Sequence, residues 1–143
     1  MQLKYNISKL SYPRIYKHLS SCDQVFLEKL RDTCDIKEYC KKISRNALCF
    51  YATVNDEIIG LLCAYCNNPS QPAFITNLSI TSSWKRKNIA TNLMMNCIDY
   101  LKGIELFKIE LDVNKNNQPA IRLYKSLNFK RVLIKDDIIR MSR

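Results

Sequence analysis

A chain of 143 residues is the size of one domain with a single core, and it holds no run of about 18 apolar residues, which excludes a bilayer-spanning helix. Lys and Arg (23) outnumber Asp and Glu (13), a net charge of +10 that favours anionic partners without choosing among nucleic acid, anionic lipid and a phosphorylated cofactor. The opening residues, MQLKYNISKL, lack the apolar core of a secretion signal, and the seven cysteines are odd in number, so the expectation is a cytoplasmic protein with reduced thiols. Cys63 and Cys66 form a lone C-x-x-C with no second pair, and the chain has one histidine, His18; no metal site is expected there.

In chain order, Leu3 to Ile7 alternates weakly and reads as a first strand. From Ser11 to Arg31 the pattern is thin: Pro13 suits a first helical turn, and Phe26, Leu27 and Leu30 suggest one short amphipathic piece. Asp35 followed by Glu38 has the form of a capping box, opening a helix with Ile36, Tyr39, Cys40 and Ile43 on one face. Ala47 to Val54 and Ile58 to Tyr65 are nearly continuous apolar runs joined by Asn55-Asp56, a hairpin whose strands should be covered on both faces. Gly60 marks a bulge or a close contact. After a loop from Cys66 to Gln71, Pro72 to Ile80 is the next strand.

That strand runs into Ser82, Ser83 and Trp84, then the basic Lys85-Arg86-Lys87, then a helix from about Lys87 to Lys102 that buries Ile89, Leu93, Cys97 and Leu101. The first N–H groups of a helix have no intrahelical partners, so a basic strand-to-helix turn suits a phosphate. The helix dipole alone contributes only about 0.3–1 kcal/mol, so the three cations must carry much of the attraction. Gly103 is expected to cap this helix. Leu106 to Val113 is a strand, Lys115-Asn116-Asn117 a turn, and Gln118 to Leu127 a helix carrying Ala120, Leu123, Tyr124 and Leu127 on one face. Asn128 suits a left-handed cap, and Phe129 to Ile134 pairs with Ile138 to Met141 around Lys135-Asp136-Asp137.

Two segments carry a resemblance. Lys85 to Ala90 resembles the Q/R-x-x-G-x-G/A pyrophosphate loop of the GCN5-related N-acetyltransferases, the GNAT family, with Lys85 at the first position and Asn88 and Ala90 at the two small-residue positions. Leu111-Asp112-Val113, Asn117-Gln118-Pro119-Ala120, Leu123-Tyr124 and Asn128-Phe129 resemble the family's L-x-V, N-x-x-A-x-x-L-Y and G-F signals at the family's spacing. Asparagine replaces glycine at Asn88 and Asn128; asparagine is the next best residue for a left-handed backbone, but the Asn88 side chain takes room beside a phosphate.

The resemblance implies a mixed α/β chain over residues 1–143, with a central, mostly antiparallel sheet flanked by helices. It implies transfer of acetyl from acetyl-CoA to a primary amine, on a small molecule or a protein N-terminus. Amides from Arg86 through Asn88 and Ile89 to Ala90 would cradle the pyrophosphate, with Lys85, Arg86 and Lys87 supplying charge. Main-chain groups at Leu78 and Ile80 would meet the pantetheine arm, and Asn117 would touch CoA while capping its helix. Where the strand ending at Ile80 splays from its neighbour, a freed N–H would stabilise the oxyanion by roughly 3–4 kcal/mol. Tyr124 matches the tyrosine that protonates the departing thiolate. The strand before the phosphate loop, Phe74-Ile75-Thr76-Asn77-Leu78-Ser79, has no carboxylate. Asp112 and Glu110, on one face of the neighbouring strand, are the candidate bases, though a solvated surface pair is the stronger reading of them. A water chain through Asn77 or Ser79 is an alternative, and the choice stays open. In the fold implied, His18, Tyr12 and Tyr39 would lie on the acceptor side and could touch substrate, although ordinary packing or a surface position is the stronger reading of each. A homodimer is left open. Competing readings are a non-catalytic basic module binding RNA or ribosome, against which the scattered cations and absent nucleic-acid motifs weigh, and a CoA-binding regulator of the same fold.

Overall fold

The computed structural model describes residues 2–143. Its elements run β1 (Leu3–Ser8), α1 (Tyr12–Ser20), α2 (Gln24–Thr33), α3 (Ile36–Asn46), β2 (Leu48–Val54), β3 (Glu57–Tyr65), β4 (Ala73–Ile80), α4 (Ile89–Gly103), β5 (Ile109–Asn114), α5 (Gln118–Ser126), β6 (Lys130–Lys135) and β7 (Ile138–Ser142). The seven strands form one sheet in the order β1-β2-β3-β4-β5-β7-β6. Every neighbouring pair is antiparallel except β4 and β5. The mixed, mostly antiparallel sheet is thus as expected.

The weakly patterned stretch before Arg31 holds two helices, not one short piece. Pro13 sits in the first turn of α1, and the α2 N-cap is Asp23, whose carboxylate accepts from the Phe26 amide at 2.8 Å. Amphipathicity in α1 rests on the spacing of Ile15, His18 and Leu19, a buried face that includes a histidine and so reads poorly as apolar. Asp35 caps α3, accepting from the Glu38 amide at 3.1 Å.

β2 and β3 are buried on both faces. Phe50, Ala52, Leu62 and Ala64 pack with Ile89, Leu93, Cys97 and Leu101 of α4 and Ile121 and Tyr124 of α5. On the other face Cys49, Tyr51, Leu61 and Cys63 pack with Ile15 and Leu19 of α1 and Cys40 and Ile43 of α3. Cys63 faces Cys49 across the hairpin, sulfurs 3.8 Å apart, rather than Cys66, and all seven cysteines are free thiols. Gly60 is both a bulge neighbour and a close contact. The β2–β3 register shifts beside it, and a Cβ there would lie 2.8 Å from Ile89 Cγ2.

Two features open the sheet at its centre. A register shift opposite Cys63 and Ala64 leaves Thr76 as an extra residue in β4, which puts Ile75 and Leu78 against the same core. The parallel pairing of β4 with β5 is recorded only from Ala73–Ile109 to Ile75–Leu111, although both strands run on past it. Beyond that point the two strands part, as the resemblance implied.

Candidate active site

The cleft at this parting has a volume of about 780 Å³. Its floor is Leu78, Ser79 and Ile80 of β4; one wall is Lys85, Arg86, Asn88, Ile89 and Ala90; a second is Asn117, Leu123 and Tyr124. Sequence reasoning therefore brought together nine residues that share one cavity. Lys87 and Asp112 are not among its lining residues.

The phosphate-type wall follows from local backbone chemistry. Ser82–Trp84 forms one 3₁₀ turn, and Arg86 and Asn88 then adopt left-handed conformations with φ of 62° and 61°. Asn88 is the N-cap of α4, so the helix begins at Ile89, two residues later than expected, because a left-handed residue cannot continue a right-handed helix. After Lys85, the first amide to find a backbone acceptor is that of Asn92, on the Asn88 carbonyl at 3.0 Å. The intervening amides have no backbone acceptor among the described residues, and Lys85, Arg86, Asn88, Ile89, Ala90 and Thr91 line the cleft where α4 begins. Free amides, a helix N-terminus and the cations Lys85 and Arg86 are the donor set a diphosphate needs. The left-handed residue after α4 is Glu105 (φ 62°), not Gly103, which is the last helical residue: the Leu106 amide returns to the Leu101 carbonyl at 2.9 Å.

Asn117 caps α5, its Oδ1 accepting from the Ala120 amide at 3.3 Å. Tyr124 lies on the buried face of α5 with its ring 5.9 Å from that of Phe129, and burial pushes its phenol up to about 12. A phenol so shifted is protonated at neutral pH, as a proton donor must be. Asp112 stands on the exposed face of β5, where Arg140 holds both oxygens: Nε on Oδ1, and Nη2 on Oδ2 at 3.1 Å. Glu110 pairs with the same guanidinium at 3.6 Å, and that guanidinium lies 5.1 Å from the Phe74 ring centroid.

The sequence put the early helical region on the acceptor side but named none of the residues of this third wall. Cys22, Asp23, Val25, Phe26 and Lys29, from the α1–α2 turn and α2, line the same cleft. Asp23 forms an ion pair with Lys85, which lowers its pKa first through that bond and then through the Phe26 amide. Ser21 Oγ lies 3.0 Å from Thr81 Oγ1. Among the acceptor-side candidates, Tyr39 is taken by structure: its hydroxyl donates to the Thr76 carbonyl at 2.6 Å, tying α3 to the β4 bulge. Tyr12 packs tilted against Tyr16, with the Lys41 ammonium 5.6 Å from its ring centroid. His18 is 2 % exposed and reaches β4, with Nε2 3.0 Å from Ser79 Oγ. A lone histidine at the position of a buried apolar residue was the available signal.

Comparison with known proteins agrees with this geometry. The chain is 26% identical over 139 residues to an N-alpha-acetyltransferase of Sulfurisphaera tokodaii, covering 90% of this chain and 73% of that protein. It is 28% identical over 96 residues to an N-alpha-acetyltransferase of Saccharolobus solfataricus, where the match covers 59% of this chain and 58% of the relative; it spans only 24% of human N-alpha-acetyltransferase 30. In fold it is similar to the ribosomal-protein-S18-alanine N-acetyltransferase of Escherichia coli (TM-score 0.80, 20% identity, 97% of this chain and 92% of that one). It is also similar to the PaiA N-acetyltransferase of Thermoplasma acidophilum, solved with coenzyme A (TM-score 0.78, 15% identity, 98% of both chains). The model of the acetyltransferase (GNAT) family matches residues 12–129, well over half of the sequence, and the chain belongs to that family.

Proposed function

We propose that this chain is an acetyl-CoA-dependent N-acetyltransferase whose acceptor is a peptide or protein N-terminal amine. One observation carries the reading: a helix N-terminus with free amides and cationic neighbours opens onto the same cleft as a buried, protonated tyrosine, at the place where two parallel strands part. The relatives named N-alpha-acetyltransferase support the acceptor class.

In this reading the α4 wall binds the diphosphate of acetyl-CoA, and the edge of β4 at Leu78 and Ile80 lines the pantetheine arm. The amine enters from the α1–α2 side and attacks the thioester carbonyl carbon. Tyr124 gives its proton to the sulfur as the C–S bond breaks, a contribution of about 10²–10⁴ in rate. Lys87 adds charge from outside the cleft and no direct contact. No helix among the described residues is long and apolar enough to cross a membrane, and with its seven free thiols the chain suits the cytoplasm.

Calorimetric titration with acetyl-CoA, followed by thiol release with a panel of peptides and small amines, tests the proposal. Stoichiometric binding and release that depends on a free N-terminal amine are expected. Binding without release on any amine would leave a CoA-responsive regulator, and no binding would end the reading altogether.

A further inference from the structure

We propose that the proton leaving the acceptor amine passes through the Ser79 hydroxyl to His18, so that Ser79 is a catalytic residue and His18 the positioning residue behind it. The inference rests on the acetyl-transfer reading and supplies the base that the strand before the phosphate loop lacks.

The direction of the relay follows from the tautomer that the shortest contacts suit. His18 Nδ1 lies 3.1 Å from the Ile58 carbonyl, which can only accept, while the nearest partner of Nε2 is the Ser79 hydroxyl, which can donate; the relay takes the neutral ring with its proton on Nδ1. Nε2 then has a free lone pair, 3.0 Å from Ser79 Oγ. Asn77 Nδ2 donates to the same Oγ at 3.0 Å and to the Leu61 carbonyl at 3.2 Å, which leaves Ser79 its own proton to give to the ring. Asn77 (6 % exposed), Ser79 (5 %) and His18 (2 %) are all buried polar side chains with defined partners, yet Ser79 and the adjacent Cys22 line the cleft. A carbonyl faces each ring nitrogen, Ile58 O at Nδ1 and Ser79 O at 3.3 Å from Nε2, so an imidazolium formed here has an acceptor for both protons.

The step balances. The neutral amine forms the C–N bond and the C–S bond breaks. The amine's surplus proton goes to Ser79 Oγ as the Ser79 proton goes to His18 Nε2, and the thiolate takes the Tyr124 proton. Solvent in the cleft then removes the imidazolium proton and restores the phenol.

The surroundings suit a ring that rests neutral. Desolvation lowers the His18 pKa, opposed by the bonds to Ile58 and Ser79. Cys22, 3.9 Å from Nε2, is pushed up to about 11 by burial and stays a thiol. Asp23 pairs with Lys85 on the cleft side. From β3, Glu57 pairs with Lys17 at 3.6 Å at the surface; from α3, Cys40 is raised to about 11 by burial. β4 presents neutral Asn77 and Ser79.

His18 is the only histidine, so its imidazole nitrogens are unambiguous in a ¹⁵N spectrum of the full chain. The expected spectrum shows the Nδ1–H tautomer with a midpoint below 6.5, and an acidic limb of kcat/KM at the same pH, unmoved when acceptors of different amine pKa are compared. Ser79→Ala should lower kcat/KM about 10²-fold and erase that limb, leaving the acetyl-CoA dissociation constant unchanged, while Ser79→Thr restores most of the rate. His18→Gln should behave as Ser79→Ala; should it fail to fold, the serine pair and the titration still decide. A wild-type rate and limb in Ser79→Ala overturn the relay and leave acetyl transfer standing, as does loss of the limb in Asp112→Asn alone. A wild-type protein that turns over no amine overturns both.

Discussion

The amide of Phe129 donates to the carbonyl of Tyr124 at 3.0 Å, and the rings of the same two residues meet at 5.9 Å. Between them Asn128 takes a left-handed φ of 71° and its own amide bonds the Lys125 carbonyl at 3.0 Å. This is a Schellman closure with its usual apolar contact, and it locks the end of α5 on the residue that faces the cleft. The tyrosine is therefore held by its backbone and its ring, not by its hydroxyl. Tyr124→Phe should keep the fold and the acetyl-CoA dissociation constant while lowering kcat by about 10²–10⁴. Steady-state kinetics beside calorimetry on the same preparation separates the two, and full turnover in the variant would remove the phenol from the reaction.

In the proposed reading Lys85 serves two anions in turn, Asp23 and the diphosphate. Its ammonium pairs with Asp23 at the N-terminus of α2, half exposed to solvent. An exposed pair of this kind is worth about 0.2–1 kcal/mol, and a diphosphate must displace it. Asp23→Asn keeps a side chain that caps α2 equally well and releases the ammonium. Acetyl-CoA should then bind up to about 5-fold more tightly, with a steeper loss of affinity as salt rises. Weaker binding by calorimetry would instead make Asp23 a residue that holds Lys85 in place for the ligand.

Gly60 sets how closely α4 lies on the sheet. An added Cβ would meet Ile89 Cγ2 at 2.8 Å, Ile80 Cδ1 at 3.1 Å and Leu93 Cδ1 at 3.2 Å. Ile89 is the first residue of α4, so any relief of the clash moves the amides at the cleft wall. Gly60→Ala should cost about 1–3 kcal/mol by overpacking and raise KM for acetyl-CoA with little change in kcat. Urea unfolding and kinetics together check this; a variant of wild-type stability would show that α4 slides without strain.

What the sequence made legible follows physical lines. The cleft wall at α4 and the Tyr124 wall were readable because each is a local motif, where a short run fixes both backbone shape and chemistry. Asn88 and Asn128 took the left-handed conformations expected of them, since that preference belongs to the residue itself. Glu105 was not foreseen because glycine, two residues earlier, is the usual signal for that geometry. The individual residues of the α1–α2 wall, whose region alone was expected on the acceptor side, were not legible for another reason. Its chemistry arises from pairings across the fold, Asp23 with Lys85 and His18 with Ser79, each some sixty residues apart in sequence. Asp112 was legible as a carboxylate but not as the partner of Arg140, which a later strand brings beside it.

The buried His18 also makes stability depend on pH, with a sign fixed by its surroundings. Desolvation depresses its pKa in the folded state below the unfolded value of about 6.5. Between those two values the unfolded chain binds more protons than the native one, so stability rises with pH there. The contribution is complete above the unfolded value and is lost as pH falls through the folded one. No second histidine contributes, and carboxylates titrate mostly below about pH 5. The urea midpoint of the wild type should therefore fall between about pH 7 and pH 5, and that slope should flatten in His18→Gln. A wild-type midpoint that is level across this window would mean the ring accepts a proton without loss, and is held as readily charged as neutral between the Ile58 and Ser79 carbonyls.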